Sequence, residues 1–507
     1  MQMMSDLALG FATAFSLQNL LYCFIGVFLG TFIGVLPGIG SIAAISLLLP
    51  VTFYLDPTTA LVMLAGVYYG AEYGGSTAAI LLNLPGTPSS AVACLDGYPL
   101  AQQGRAGVAL FMTTIASFVG GVIGIIVLMA FGPLLASVAL KFGPAEYVAI
   151  MVLGLIGAAT IAQGSPVKGI AMVVIGITLG TVGIDVNTGT PRFTFGYAEL
   201  NSGVNLIALA MGLFGVTEVI ASIRQGGKSE VSRKISLRSM IPTRADWRVS
   251  ALPILRGTGV GVLFGTLPGT GQTMSSFMTY ALEKRLSRHP ERFGNGAVEG
   301  VSAPEAANNA SSQTAFIPTL TLGIPGSASM ALILGAMMIH GITPGPVMLD
   351  RHPEVFWGLI ASFWIGNVIL LLLNIPLIGL WVRFLQIPYQ FLYPLIVVLI
   401  CIGTYSVNNS VFDVVLVFLL GGVGYVLRLW DFQPAPLVIG YILGPMIEEN
   451  FRRVLTISGG DFSEFVTRPI SGSVLAISAI LLVWGIASSF RNGRRREADG
   501  VGEAAQP

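Results

Sequence analysis

A chain of 507 residues with 10% charged and 54% hydrophobic side chains and a net charge of +1 cannot solvate a surface of the size its length demands; about 25% charged residues is usual for a soluble fold. Apolar runs of about 20 residues, long enough to cross a hydrocarbon core, recur from end to end, and the mean hydropathy is +0.79. Together these values exclude a soluble globular class and indicate an all-α polytopic membrane protein clad in a lipid bilayer, with no nucleic-acid partner.

In chain order, the first 25 residues show no basic region and no small-residue cleavage site, so no removable signal peptide is expected. Spanning helices are predicted near 17–35, 58–82, 107–133, 144–163, 167–186, 203–223, 250–268, 355–382, 388–408, 412–427 and 472–490. Shorter or interrupted apolar pieces lie near 38–55, 271–283, 312–341 and 433–447. The sum is about 12 transmembrane helices plus broken or re-entrant segments. Cys23, Cys94 and Cys401 have neither metal nor disulfide spacing and read as small core residues.

Basic residues set the orientation. Only Arg105, Lys141, Lys168 and Arg192 occur in the first 223 positions, whereas RQGGKSEVSRKISLRSMIPTRADWR holds seven Lys or Arg. EKRLSRHPERF adds four and RNGRRRE four more. All three segments are expected to be cytoplasmic, where such residues accumulate. The chain then divides into a first membrane repeat (1–223), a basic cytoplasmic linker (224–249), a second repeat with additional C-terminal helices (250–490) and a cytoplasmic tail (491–507).

The two halves share markers in one order. GVLPGIG, AEYGGSTAAILLNLPGTPSS and LDGYPLAQQG in the first half correspond to GTLPGTG, APEAANNASSQTAFIPTLTLGIPGSAS and IHGITPGP in the second. Pro37 pairs with Pro268, Glu72 with Glu305, Pro85 with Pro325 and Gly97 with Gly341, at offsets of 231, 233, 240 and 244. Counting seven crossings back from the linker, with 38–55 as one of them, puts the N-terminus outside. Residues 17–35 and 250–268 then run in opposite directions, which makes two inverted-topology repeats.

Paired discontinuous segments in inverted repeats point to a secondary transporter with its site at the repeat interface. A break frees N–H and C=O groups that lipid cannot satisfy; freed N–H groups suit an anion and freed carbonyls a small cation. The first half breaks at Gly34, Pro37, Gly38 and Gly40, and again at Asn83, Pro85, Gly86, Thr87, Ser89 and Ser90. The second breaks at Gly265, Pro268, Gly269, Thr270 and Gly271, followed by Gln272 and Thr273, and again at Gly323, Pro325, Gly326, Ser327 and Ser329. A packing kink between close helices is the competing explanation for any one break; four repeat-matched, hydroxyl-rich breaks favour a site. Ser41, Thr87, Ser89, Ser90, Thr273, Ser327 and Ser329 can donate to a carboxylate or enter a cation's shell.

Ionisable groups at membrane depth are costly and usually functional. From Glu305 to Thr314, seven of ten residues have polar side chains, and Glu305, Asn308 and Asn309 are the candidates for cation coupling. Glu72 has fewer polar neighbours within AEYGGS and is the lesser candidate. There is no phosphate-binding loop, no metal-ligand spacing among His289, His340 and His352, and no nucleophile–base arrangement. Neither a nucleotide-driven pump nor an enzyme is expected, and no cofactor is called for.

GVLPGIG, YYGAEYGGSTAAILLNLPGTPSS, LDGYPLAQQG, KFGPAEY, APEAANNASSQT, LTLGIPGSAS and HGITPGP, in this order over about 17–450, resemble the large permease of the tripartite tricarboxylate transporters, the TctA-type family. The resemblance implies a bacterial inner-membrane subunit working with a small membrane subunit of about four helices and a periplasmic solute-binding protein. It implies uptake of an organic carboxylate driven by Na+ or H+. On this reading the substrate meets Ser41, Asn83, Pro85, Gly86, Thr87, Ser89, Ser90, Thr273, Pro325, Gly326, Ser327 and Ser329. The cation meets the LPGIG and LPGTG breaks with Glu305, Asn308 and Asn309. A gated anion channel and a non-transporting scaffold subunit remain the alternatives.

Overall fold

The computed structural model describes residues 2–161, 165–185, 187–223, 237–267, 271–385 and 389–503. Helices dominate: α1 (Gln2–Ala14), α2 (Leu17–Val35), α3 (Gly40–Thr52), α4 (Pro57–Leu82), α5 (Ala91–Leu100), α6 (Ala106–Ala139), α7 (Pro144–Ile161), α8 (Pro166–Gly180), α9 (Leu206–Ala210) and α10 (Thr217–Ile223) in the first half. The second half continues with α11 (Arg244–Thr266), α12 (Gly271–Leu286), α13 (Val298–Thr314), α14 (Phe316–Leu322), α15 (Ala328–Ile339), α16 (Met348–Arg351), α17 (Pro353–Asn374), α18 (Ile378–Phe384), α19 (Tyr389–Asn408), α20 (Val411–Leu429), α21 (Ala435–Ile457), α22 (Glu464–Thr467) and α23 (Pro469–Glu503). Among the described residues the only strands are Gly183–Ile184 and Pro191–Arg192, paired antiparallel.

Two compact units form. One gathers residues 1–140 and 205–425, the other residues 141–204 and 426–507. In the second unit α21 lies along α8 at close range, since a Cβ on Gly176 would meet the Leu437 carbonyl oxygen at 2.0 Å. Ala145, Val148, Val454 and Phe465 form its apolar centre, and Arg452 bridges Asp185 (2.9 Å) and Glu448 (2.6 Å).

The first unit is built on two matching helix pairs. A Cβ on Gly26, Gly30 or Gly34 of α2 would lie 2.3 Å from the carbonyl oxygens of Met63, Val67 and Ala71 on α4. On α11, Gly257, Gly261 and Gly265 meet the carbonyls of Ala303, Ala307 and Ser311 on α13 at 2.3, 2.3 and 2.5 Å. Small residues every fourth position let the backbones touch, which is how helices associate where no hydrophobic force separates them from lipid. Both pairs enclose their second member. Every residue of α4 from Thr59 to Ile80 is buried, and so is all of α13.

Among the described residues, six segments are long and apolar enough to cross a membrane: Leu17–Val35, Ala91–Ala139, Arg244–Thr266, Pro353–Asn374, Val411–Leu429 and Pro469–Ala487. The protein is therefore an all-α, multi-pass membrane protein. Helix α4 has the length, at 26 residues, but its tyrosines, glycines and Glu72 lower its hydropathy, as suits a helix that meets protein on every side. Helix α3 has 13 residues, about 20 Å at 1.5 Å per residue, short of the ~30 Å hydrocarbon core. The expectation that 38–55 forms a crossing fails on that length, and the seven-crossing count for orientation fails with it. Much of the basic linker, residues 224–236, lies outside the described residues, as do residues 504–507 of the tail.

The LDGYPLAQQG motif has a structural role. Asp96 on α5 is fully buried, and its Oδ1 accepts the backbone N–H groups of Gly294 (2.9 Å), Gly296 (2.8 Å) and Ala297 (2.8 Å). Its Oδ2 accepts the Tyr280 hydroxyl at 3.0 Å. A carboxylate from the first half thus caps the loop that leads into α13 of the second. Anions are favoured at such a helix start.

Candidate functional site

Four chain breaks surround α4 and α13. Leu36 and Leu267, each followed by proline in the sequence, leave helical geometry at φ/ψ of −78/115° and −92/123°, as the residue before proline must. Helix α4 ends at Asn83 in the left-handed conformation (φ 57°) and α14 ends at Gly323 likewise (φ 70°). In the first half the two breaks touch: Gly38 N donates to Pro85 O at 3.4 Å and Gly86 N to Gly75 O at 3.3 Å. Pro268, Gly269 and Thr270 lie outside the described residues.

These landmarks correct the residue pairing between the halves. Gly26, Gly30 and Gly34 match Gly257, Gly261 and Gly265 at an offset of 231, and Gly40 and Gly271 share positive φ (73° and 62°). From α4 onward the offset is 240, fixed by Met63/Ala303, Val67/Ala307, Ala71/Ser311 and the left-handed Asn83/Gly323. At that register Glu72 corresponds to Ser312, and Glu305 to Ala65. The sequence pairing of Glu72 with Glu305, at 233, matched like residues rather than like places.

The two carboxyls nevertheless share one interior. Glu305, 3% exposed, accepts from Ser76 at 2.6 Å, and from Ser117 and Asn309 Nδ2 at 3.3 Å each. Asn309 Nδ2 also reaches Ser117 Oγ at 2.8 Å. Glu72, also 3% exposed, accepts from Ser89 and, at 3.3 Å, from Thr87, while Ser41 and Asn308 border it. Asn308 borders Glu305 as well. Among the described residues neither carboxyl has a basic partner. Ser41 Oγ lies 3.4 Å from Ser329 Oγ and joins the halves, and Tyr73 reaches Asn367 across to α17 at 2.7 Å.

Several buried polar atoms here have no hydrogen-bond partner among the described residues: Tyr68 Oη, Gln272 Nε2, both amide atoms of Asn308, Asn309 Oδ1, Ser311 Oγ and Gln313 Oε1. Buried polar groups are nearly always paired, so a concentration of exceptions makes this interior the candidate site. Of the residues named from sequence, Ser41, Thr87, Ser89, Ser327, Ser329, Glu305, Asn308 and Asn309 come together around α4 and α13. Ser90 instead closes its own turn, accepting from Thr87 N (3.1 Å) and donating to Thr87 O (2.8 Å). Asn83, Pro85, Gly86, Pro325 and Gly326 shape the breaks. The Gly34 and Gly265 carbonyls turn onto Gly86 and Gly326, and Thr273 is half-buried on α12.

Sequence reading undervalued Glu72 and passed over Tyr68 and Ser76. The signal was present for Glu72, since Thr87 and Ser89 follow it by 15 and 17 positions across a break that folds them back.

Residues 20–439 match the family described as "Tripartite tricarboxylate transporter TctA family". An Agrobacterium vitis protein described as "Uncharacterized 52.8 kDa protein in TAR-I ttuC' 3'region" is 50% identical over 494 residues, 97% of this chain and 98% of its own length. A second, described as "Uncharacterized protein in TAR-II ttuC' 3'region" of the same organism, is 51% identical over 234 residues, 46% of this chain and 97% of its own. No solved structure matches. The matched span contains every break and both buried carboxyls, and the chain accordingly belongs to the tripartite tricarboxylate transporter TctA family, a family of transporters rather than enzymes.

Proposed function

We propose that this chain is the permease of a bacterial inner-membrane importer that takes an organic carboxylate from a periplasmic solute-binding protein. It works beside a small membrane subunit of about four helices and is driven by Na+ or H+. The observation that carries this reading is the buried pair Glu72 and Glu305, set among hydroxyls and amides with no basic partner. Two carboxyls at membrane depth are expensive unless a proton or cation accompanies them. The surrounding oxygens of Asn308, Asn309, Ser76, Ser117, Thr87 and Ser89 are hard donors of the kind a small cation takes. An anionic substrate nearby is held off until that charge is neutralised, so cation and substrate favour each other's binding, as linkage requires. The matching helix pairs fit a transporter built of two repeats, with a hydroxyl-rich break meeting the substrate and the breaks at 34–40 and 265–271 supplying carbonyls to the cation.

Counterflow of labelled citrate or succinate in vesicles tests transport itself, since a channel gives no counterflow. Replacing external sodium with choline at fixed pH tests the coupling ion: collapse of uptake assigns sodium, and unchanged uptake assigns the proton. Asn308→Ala combined with Asn309→Ala is expected to reduce uptake at least 100-fold, about 3 kcal/mol, without lowering membrane abundance. Wild-type rates in that double variant would remove α13 from the pathway.

A further inference from the structure

Aligned by their contact geometry, at an offset of 231 through α3 and 240 from α4 onward, the two halves face each other reciprocally but are not chemically alike. Glu72 is bordered by Asn308. The reciprocal contact, between the matched positions Ser312 and Tyr68, is also present, and Tyr68 reaches Ser327 as well. Each half therefore builds the same cradle: position 72 or 312 on the central helix, hydroxyls at 87 and 89 or 327 and 329 after the break, and residue 41 or 272 beginning the short helix. In the first half the cradle is filled by the chain's own carboxylate, because Thr87 and Ser89 both donate to Glu72. In the second half the position holds Ser312, two atoms shorter, whose hydroxyl is spent on Asn308 O at 2.9 Å.

What the second cradle keeps is a set of donors without an anion. Gln272 Nε2, more than nine-tenths buried, has no partner among the described residues, and Tyr68 Oη, fully buried, faces Ser312 and Ser327 without completing a hydrogen bond. Ser327 accepts from Met330 N at 3.3 Å, which leaves its own O–H to donate, and Gly271 beside Gln272 lies against Ser327. We infer that the second-half cradle of Tyr68, Gln272, Ser312, Ser327 and Ser329 is the subsite for one carboxylate group of the transported acid. Glu72 occupies the equivalent position in the first half as a fixed internal carboxylate. The sequence expectation that both hydroxyl-rich breaks serve the substrate is thereby narrowed to one. A carboxylate accepting O–H and N–H donors in a dry site forms charge-assisted bonds, and the Glu72 cradle shows the geometry with a carboxylate already in place.

The inference rests on the proposed carboxylate transport, and one experiment separates the two. The thermal midpoint of the purified full-length chain in detergent and sodium buffer is followed against citrate and against succinate. Wild-type protein is expected to gain stability with rising concentration of at least one acid. Ser312→Glu places a second internal carboxylate in the open cradle and is expected to abolish that response. Ser327→Ala, which does not depend on the folding of that variant, is expected to weaken the apparent affinity about tenfold, the loss of one hydrogen bond to a charged group. Ser473→Ala, whose exposed hydroxyl donates to the Ile470 carbonyl on α23, changes it less than twofold. A wild-type response that persists in Ser312→Glu, or equal losses in Ser327→Ala and Ser473→Ala, overturns the subsite while leaving carboxylate transport standing. No wild-type response to either acid overturns both.

Discussion

Asp96→Ala is expected to remove most of the folded chain from the membrane. The substitution leaves three backbone N–H groups and the Tyr280 hydroxyl without the acceptor they share at the fully buried Asp96, and of these the Ala297 N–H is itself buried. Each buried unsatisfied group costs about 1–3 kcal/mol, against total stabilities of about 5–15 kcal/mol. Asp96→Asn retains one oxygen for the three N–H groups and is expected to lose about half as much. The midpoint of thermal unfolding in detergent, followed by retention of the monodisperse species, measures both. An Asp96→Ala protein that matches wild type would mean that the 287–297 loop is held by something other than this carboxylate.

The second large effect is expected at Gly86 and not at its matched residue Gly326. A Cβ at Gly86 would lie 1.9 Å from the Gly34 carbonyl oxygen and 2.6 Å from the Gly75 Cα. Both are backbone atoms, so no side-chain rotation relieves the clash, and the cost reaches or exceeds the ~1–3 kcal/mol of ordinary overpacking. The matched residue Gly326 has 3.6 Å to the Gly265 oxygen and 3.7 Å to the Ala315 Cβ, which is ordinary contact. Gly86→Ala is therefore expected to lower the unfolding midpoint by several degrees, while Gly326→Ala leaves it within error. Equal effects at the two positions would contradict the difference in spacing between the halves.

Much of the architecture can be read directly from residues. Proline after Leu36 ends α2 where the sequence places the end, and the small-residue spacing on α2 and α11 announces close backbone contact. The two Pro-Gly breaks in each half and the wet stretch after Glu305 are plain in the letters. Which polar groups meet is not, because meeting is decided by register. Glu72 and Glu305 look paired as letters, yet the contact geometry pairs Glu72 with a serine, an offset fixed by the glycine contacts on α4 and α13 and by the left-handed ends at Asn83 and Gly323. The length of α3 was equally hidden, since an apolar piece of 13 residues followed by FYLDP reads as a marginal span until its helix is seen to stop at Thr52.

The partners of the two buried carboxyls bear on how the protein is made. Ser76 and Glu305 are 229 residues apart, Ser41 and Ser329 288, and Tyr73 and Asn367 294. Glu72 leaves the ribosome long before Asn308 exists, and Glu305 reaches the membrane needing a serine inserted more than 200 residues earlier. A truncated or misinserted chain is left with a carboxyl that lacks the partners the other half supplies. Such a product pays for its exposed charge in lipid and is the natural prey of membrane proteases. The polar interior thus acts as an assembly checkpoint that favours chains in which both halves have arrived.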